Sequence, residues 1–228
     1  MTANAFFHMT DHKTFRQVLA DGAAHFGITL DNERLSLFER YTALLTKWNS
    51  HMNLISAQDL HRFVEYHLLD SLKTASCINM HTVSKMLDFG SGAGLPGIPL
   101  AIAFPHMSVT LVESRLKRCR FLANVLEDIP HLHASVVRSR LEKLPYIFHD
   151  TFDLVITRAT VSLERFFRLA VRFVSNHGSL AAIKGDSIDD ELRVLHQCVD
   201  TRFFRISSLI PEAYKNVRRG TIVCITRL

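Results

Sequence analysis

The sequence predicts an α/β protein: a doubly wound, mostly parallel seven-stranded sheet preceded by an N-terminal helical extension. Three observations carry this expectation. From Ser84 onward, short apolar runs alternate with helical segments, the pattern of successive strand–helix units. Before Ser84 the periodicity is helical only. At the junction, Met86-Leu-Asp-Phe-Gly-Ser-Gly-Ala-Gly-Leu-Pro-Gly97 reads as a strand, a glycine-rich turn and a helix start, the arrangement that builds a nucleotide-type cofactor site at the carboxyl edge of a parallel sheet.

Taken in order, Met1–His12 reads as a frayed terminus; Asn4, His8 and Asp11 interrupt its apolar residues, so no signal peptide is expected. Residues 13 to about 75 are helical, with Gly27 separating the first helix from the second. The second spans 31–50: Leu35, Phe38, Tyr41, Leu44, Leu45 and Trp48 fall at helical spacing behind a capping Asp31. A third is expected over Asp59–Ser76, with Phe63, Tyr66, Leu69 and Leu72 as its stripe. Strands are expected at 84–89, 108–113, 134–137, 152–156, 178–184, 203–207 and 220–226, with helices near 97–104, 115–127, 161–175 and 187–198. Only Ser208–Arg219 separates the last two strands, room for a hairpin but little for a crossover helix, so the final strand is expected to be antiparallel. The expected division is 1–76 as the extension and 77–228 as the cofactor-binding domain.

The composition is that of an ordinary soluble globular protein: 228 residues, 47% hydrophobic and 21% charged. Lys and Arg number 27 against 22 Asp and Glu, a net charge of +5 that suits a polyanionic partner without proving one. Cys77, Cys119, Cys198 and Cys224 form no CxxC pair and match no zinc spacing, so reduced thiols in a cytoplasmic protein without a metal are expected. No apolar stretch reaches membrane-spanning length.

Two cofactors compete for the glycine turn. Gly92-x-Gly94-x-x-Gly97 matches the dinucleotide fingerprint, whereas Asp88-x-Gly90-x-Gly92-x-Gly94 matches the first motif of S-adenosylmethionine-dependent methyltransferases. A carboxylate at Asp88 opposes a pyrophosphate and favours the ammonium and sulfonium of S-adenosylmethionine; alternatively Asp88 only caps the turn. Glu113, at the end of the second strand, can accept ribose hydroxyls in either reading. Leu141 and Glu142 follow the third strand and can flank an adenine, although Glu142 equally suits a helix start.

Beyond the turn, Gly90-Ser-Gly-Ala-Gly-Leu-Pro-Gly-Ile-Pro-Leu100 resembles the signature of the bacterial 16S ribosomal RNA guanine-N7 methyltransferases, also called glucose-inhibited division protein B. Trp48-Asn49 with Asn53-Leu-Ile-Ser56, His67-Leu-Leu-Asp-Ser71, Lys117-Arg118, Thr157-Arg-Ala159 and Lys184-Gly185 are similar to further blocks of that family, from about residue 14 to the end. Tyr66 stands where an Arg usually precedes the His, and Thr157 where Ser is commoner. The resemblance implies a Rossmann-like class I methyltransferase that transfers a methyl group from S-adenosylmethionine to N7 of a guanine in the small subunit, near the decoding region. It also implies cofactor contacts at Gly90, Leu95, Leu141, Glu142 and Arg158, beside Asp88, Ser91, Gly92, Gly94 and Glu113 from the turn and the second strand.

Guanine N7 offers an in-plane lone pair and carries no proton, so no general base is needed and no catalytic side chain is expected beyond Arg158, which can meet a phosphate or guanine O6. Ile156-Thr-Arg-Ala159 replaces the Asn/Asp-Pro-Pro-aromatic loop of amine methylation, and Cys119, mid-helix, reads as packing. Arg115, Lys117, Arg118 and Arg120, with Arg138 and Arg140, form one basic group, and Arg165, Arg168 and Arg172 share a helix face; with Lys184 these are the RNA-contact candidates, against the plain alternative of solvated faces. The expected protein is a monomer that acts on 16S ribosomal RNA or the small subunit. Alternatives are a methyltransferase with another RNA base or a small molecule as acceptor, a nicotinamide or flavin oxidoreductase, and a non-catalytic RNA-binding protein.

Overall fold

A computed structural model describes residues 12–158, 161–185, 188–212, 214, 217 and 220–228. The readings at residues 1–11, at Ala159 and at the first residue of the expected 187–198 helix therefore lie outside the described residues, as does part of Ser208–Arg219.

Helix α1, His12–His25, is followed by Gly27 at φ 75° and by α2, Asn32–Asn49. Asp31 caps α2 as expected, its side chain accepting from the Arg34 N–H at 2.8 Å. Leu35, Phe38, Tyr41 and Leu45 are buried, while Leu44 and Trp48 lie at the edge of the core.

The third expected helix is not continuous. Its region holds α3, Ala57–Leu60, a turn, a π-helical turn at Val64–Leu68, α4, Leu69–Leu72, and a 3-10 turn at Lys73–Ser76. The extra residue in a π turn rotates the helical face of the residues after it, and every residue from 67 to 74 is buried. Tyr66, just before this enclosed stretch, leaves the predicted stripe and is half-buried.

The sheet comprises β1 Lys85–Phe89, β2 Ser108–Glu113, β3 Ala134–Arg138, β4 Phe152–Arg158, β5 Val174–Ile183, β6 Phe204–Leu209 and β7 Ile222–Arg227. Its order is β3-β2-β1-β4-β5-β7-β6. All pairings are parallel except those of β7, which runs antiparallel to both β5 and β6. The intervening helices are α5 Gly97–Ala103, α6 Leu116–Asp128, α7 Leu163–Ala170 and α8 Asp189–Cys198. The expected 161–175 helix is shorter than its pattern suggested: after a 3-10 turn at Val171–Phe173 the chain enters β5, because Val174 pairs with Phe152 across a register irregularity.

Alternate strand residues feed two cores. Met86, Leu111, Leu154 and Cys224 pack with the N-terminal helices, α5 and α6 on one face. Leu87, Val112, Val155 and Val223 pack with α7 and α8 on the other. The extension thus shares its core with buried residues of five strands, β1, β2, β4, β5 and β7. Strand order reverses between β1 and β4, the switch point at which sheets of this kind form their binding crevice, at the carboxyl ends of parallel strands.

Candidate active site

The backbone at the carboxyl end of β1 shapes the site. Gly90 N–H and Ser91 N–H both donate to Val112 O, at 2.9 and 3.2 Å, which anchors the turn to β2. The Ser91 hydroxyl donates to Asp88 O at 2.9 Å. Gly92 adopts φ 59°, a left-handed conformation that side chains with a β-carbon rarely take. A β-carbon there would come into ordinary contact with Arg118 Nη1 and Gly90 O, both at 3.7 Å. At Gly97 the space is tighter: a β-carbon would lie 2.6 Å from Asp88 Oδ2.

Asp88 is fully buried and accepts from the Gly97 N–H at 3.0 Å through Oδ2, at the start of α5. The capping reading and the ligand reading are therefore compatible, because Oδ1 is buried with no hydrogen-bond partner. Burial pushes its pKa up to about 7, against the pull of the Gly97 N–H, Ser91 and Arg158. Glu113, 4% exposed at the end of β2, accepts from Gly92 N–H at 3.1 Å and from Arg115 N–H at 2.8 Å. Its second strand-end neighbour is Arg118, whose guanidinium lies 3.5 Å away. Ser91, Gly92, Gly94, Leu95, Asp88 and Glu113 are thus brought together by β1, β2 and the loop between β1 and α5, with Gly92 the most accessible of them.

Arg158 ends β4 across the crevice, with its side chain 16% exposed. Its Nη1 lies 2.9 Å from His67 Nδ1 and 3.5 Å from Asp70 Oδ2. Thr157 donates to Phe89 O at 2.9 Å and ties β4 to β1 just before the site. Leu141 is buried at the start of a 3-10 turn after β3, whereas Glu142 is more exposed and lies 3.8 Å from Arg165.

The basic candidates follow the carboxyl ends of the parallel strands, on the same edge of the sheet. Arg115 and Lys117 are exposed and Arg118 half-buried. Arg165 and Arg168 are exposed, but Arg168 is paired with Glu164 and reaches Cys198. Arg172 leaves the expected shared helix face because it lies in the 3-10 turn, near Leu141 O. Lys184 points inward: its ammonium donates to Val161 O at 2.9 Å and meets Glu191 at 2.8 Å. The Cys119 thiol donates to Glu113 O, and burial pushes its pKa up, followed by the Glu113 charge.

Sequence reasoning missed the roles of two residues. Tyr41, read only as core, donates from its hydroxyl to Ala93 O at 2.7 Å, so α2 holds the glycine turn. Asn49 accepts from the N–H groups of Leu54 and Ile55 at 2.8 and 3.0 Å and shapes the loop after α2. The Trp48-Asn49 pairing within one block was the available signal.

A seven-stranded sheet with this order, a reversed β7, a glycine turn after β1 and an acid ending β2 define a Rossmann-like class I methyltransferase fold. A tRNA methyltransferase from Aquifex aeolicus shares it, with a TM-score of 0.53 at 12% identity over 70% of this chain and 68% of that one. The chain belongs to the GidB family, described as rRNA small subunit methyltransferase G, which matches residues 34–215. The chain is 37% identical to a ribosomal RNA small subunit methyltransferase G of Chromobacterium violaceum over 79% of its length and 85% of the relative. It is 30% identical to one from Lachnoclostridium phytofermentans over 96% of its length and 90% of the relative. Among the described residues, no helix is long and apolar enough to cross a membrane, and no group of three His, Cys, Asp or Glu residues could hold a metal ion.

Proposed function

We propose that this chain methylates N7 of a guanine in 16S ribosomal RNA, near the decoding region, with S-adenosylmethionine as donor. Family membership over residues 34–215 is the observation that carries the reading. Two features support a fit to the cofactor. Gly92, half-buried and without a β-carbon, permits close approach to the turn backbone, and the buried Asp88 Oδ1 has no hydrogen-bond partner within the protein. Asp88 and the glycine turn would hold the cationic amino-acid portion. Glu113 would accept from the ribose, exchanging the Gly92 N–H for hydroxyl donors, and Leu141 and Glu142 would border the adenine. When bound, the cofactor supplies an electrophilic methyl group.

The protein's own residues bind and orient. Guanine N7 needs no proton removed, so alignment in a near-attack geometry is the main demand. A buried Cys119 with a raised pKa is unsuited to nucleophilic attack. Arg158 faces the crevice edge with a fixed charge that can meet the cofactor's carboxylate or guanine O6. The exposed Arg115, Lys117 and Arg165, with Arg118 and Arg168 beside them, would track RNA phosphates, while Lys184 would hold α7 and α8 together through Glu191. The N-terminal helices would border the RNA-binding side. The protein would work as a monomer in the cytoplasm.

Transfer of labelled methyl groups to small subunits lacking the modification, followed by chemical cleavage at N7-methylguanine, tests this. One new cleavage site in 16S RNA is expected. Transfer to no RNA, with cofactor binding intact, would point to another acceptor.

A further inference from the structure

The end of β4 is held by residues 91 and 88 positions earlier in the chain. Arg158 Nη1 lies 2.9 Å from His67 Nδ1, and a guanidinium can only donate. His67 Nδ1 is therefore the acceptor, which makes the ring the neutral tautomer carrying its proton on Nε2. The ring is 7% exposed and packs against Phe63 at 5.5 Å between centroids; Phe63 in turn lies 6.0 Å from Tyr41. Tyr41 donates to Ala93 O within the glycine turn. Asp70, buried one turn after His67, adds an anion 3.5 Å from the same guanidinium nitrogen and meets Lys73 at 2.6 Å.

A chain of contacts thus runs from the turn after β1, through Tyr41, Phe63 and His67, to the guanidinium that ends β4. Both sides of the switch point are set by the N-terminal helices. An arginine carries several rotatable bonds, and its side-chain entropy opposes any single placement. Two acceptors in one buried segment offset that cost before a ligand arrives. The π-helical turn brings this about: it opens one turn before α4, and the segment from His67 to Thr74 is buried throughout.

We infer that His67 is a positioning residue, which acts with Asp70 to hold the Arg158 guanidinium toward the cofactor. The inference rests on the proposed contact between Arg158 and the cofactor, and it deepens that proposal by adding residues from outside the sheet. His67 touches neither cofactor nor RNA in this role.

A double-mutant cycle on S-adenosylhomocysteine binding tests it. Calorimetric affinities are measured for the wild type, His67→Leu, Arg158→Ala and the double variant, with the melting temperature of each free protein. Each single substitution is expected to lower affinity by about tenfold, and the double variant by no more than the worse single one, because His67 acts only through Arg158. His67→Gln, whose amide oxygen can accept from the guanidinium, is expected to recover most of the loss. A merely structural role for His67 predicts losses that multiply in the double variant and no recovery with Gln; either result overturns the inference. Unchanged affinity in Arg158→Ala also overturns it. A wild type that binds no S-adenosylhomocysteine would remove the functional reading itself, and the positioning role with it.

Discussion

Asp88 shows how one side chain can be both a brace and a binding group. Its Oδ2 caps the start of α5, its Oδ1 has no partner, and burial pushes its pKa from 3.8 up to about 7. The usual carboxylate pattern is inverted here. Between about pH 4 and pH 7 the folded state holds a proton that the unfolded chain has released, so stability falls as pH rises through that window and is level above it. A shift of this size corresponds to up to about 4 kcal/mol. Asp88→Asn keeps an oxygen for the Gly97 N–H and removes the titration. Its free form is expected to be more stable than wild type at pH 8, with the gain shrinking toward pH 5, as read by urea unfolding at both values. The buried ion pair Asp70–Lys73 behaves differently, because both partners are charged and enclosed, at 2% and 3% side-chain exposure. Asp70→Ala removes the anion beside the buried Lys73 ammonium and the Arg158 guanidinium and is expected to cost about 3–5 kcal/mol. Combining it with Lys73→Met should recover a large part of that loss in the same unfolding measurement.

At the scale of elements, the glycine turn is the piece most exposed to a single change. Gly92→Asp places a side chain on the turn at φ 59°, against the Arg118 guanidinium, and adds a negative charge beside Glu113. It is expected to abolish S-adenosylhomocysteine binding by calorimetry, and normal affinity would refute the placement of the cofactor on this turn. The turn, β1 and β2 were legible in the sequence because the glycines, Asp88 and Glu113 lie close together in the chain and keep a fixed spacing. The capped α2 was legible for the same local reason. The broken segment from Ala57 to Ser76 was not: its apolar residues keep helical spacing, and from 67 to 74 polar and apolar residues alike are buried, so no polar face marks the change of phase. The start of β5 was hidden by Ser175, Asn176 and His177, polar residues that continue a strand only because Val174 pairs with Phe152. The grip of His67 on Arg158 was hidden by distance, since no local pattern joins residues so far apart in sequence.

For the whole molecule, the two cores meet across one sheet, and the N-terminal helices belong to the larger of them. The extension therefore reaches the site through Tyr41 and His67 as well as through packing. Salt-dependent attraction to RNA would come from the exposed arginines on the carboxyl edge, while the inward ammonium of Lys184 adds little to it.

The reversed β7 has a practical consequence. A parallel β7 would have run toward the carboxyl edge that carries the candidate site. Instead Arg227 pairs with Asp150 and donates to Val174 O, at the amino ends of β4 and β5, and Leu228 is exposed there. The far pole of the molecule thus offers an attachment point. A fluorophore or surface tether coupled to a cysteine at Leu228→Cys is expected to leave both S-adenosylhomocysteine affinity and methyl transfer unchanged, and would orient immobilised protein with its carboxyl edge toward incoming ribosomal particles.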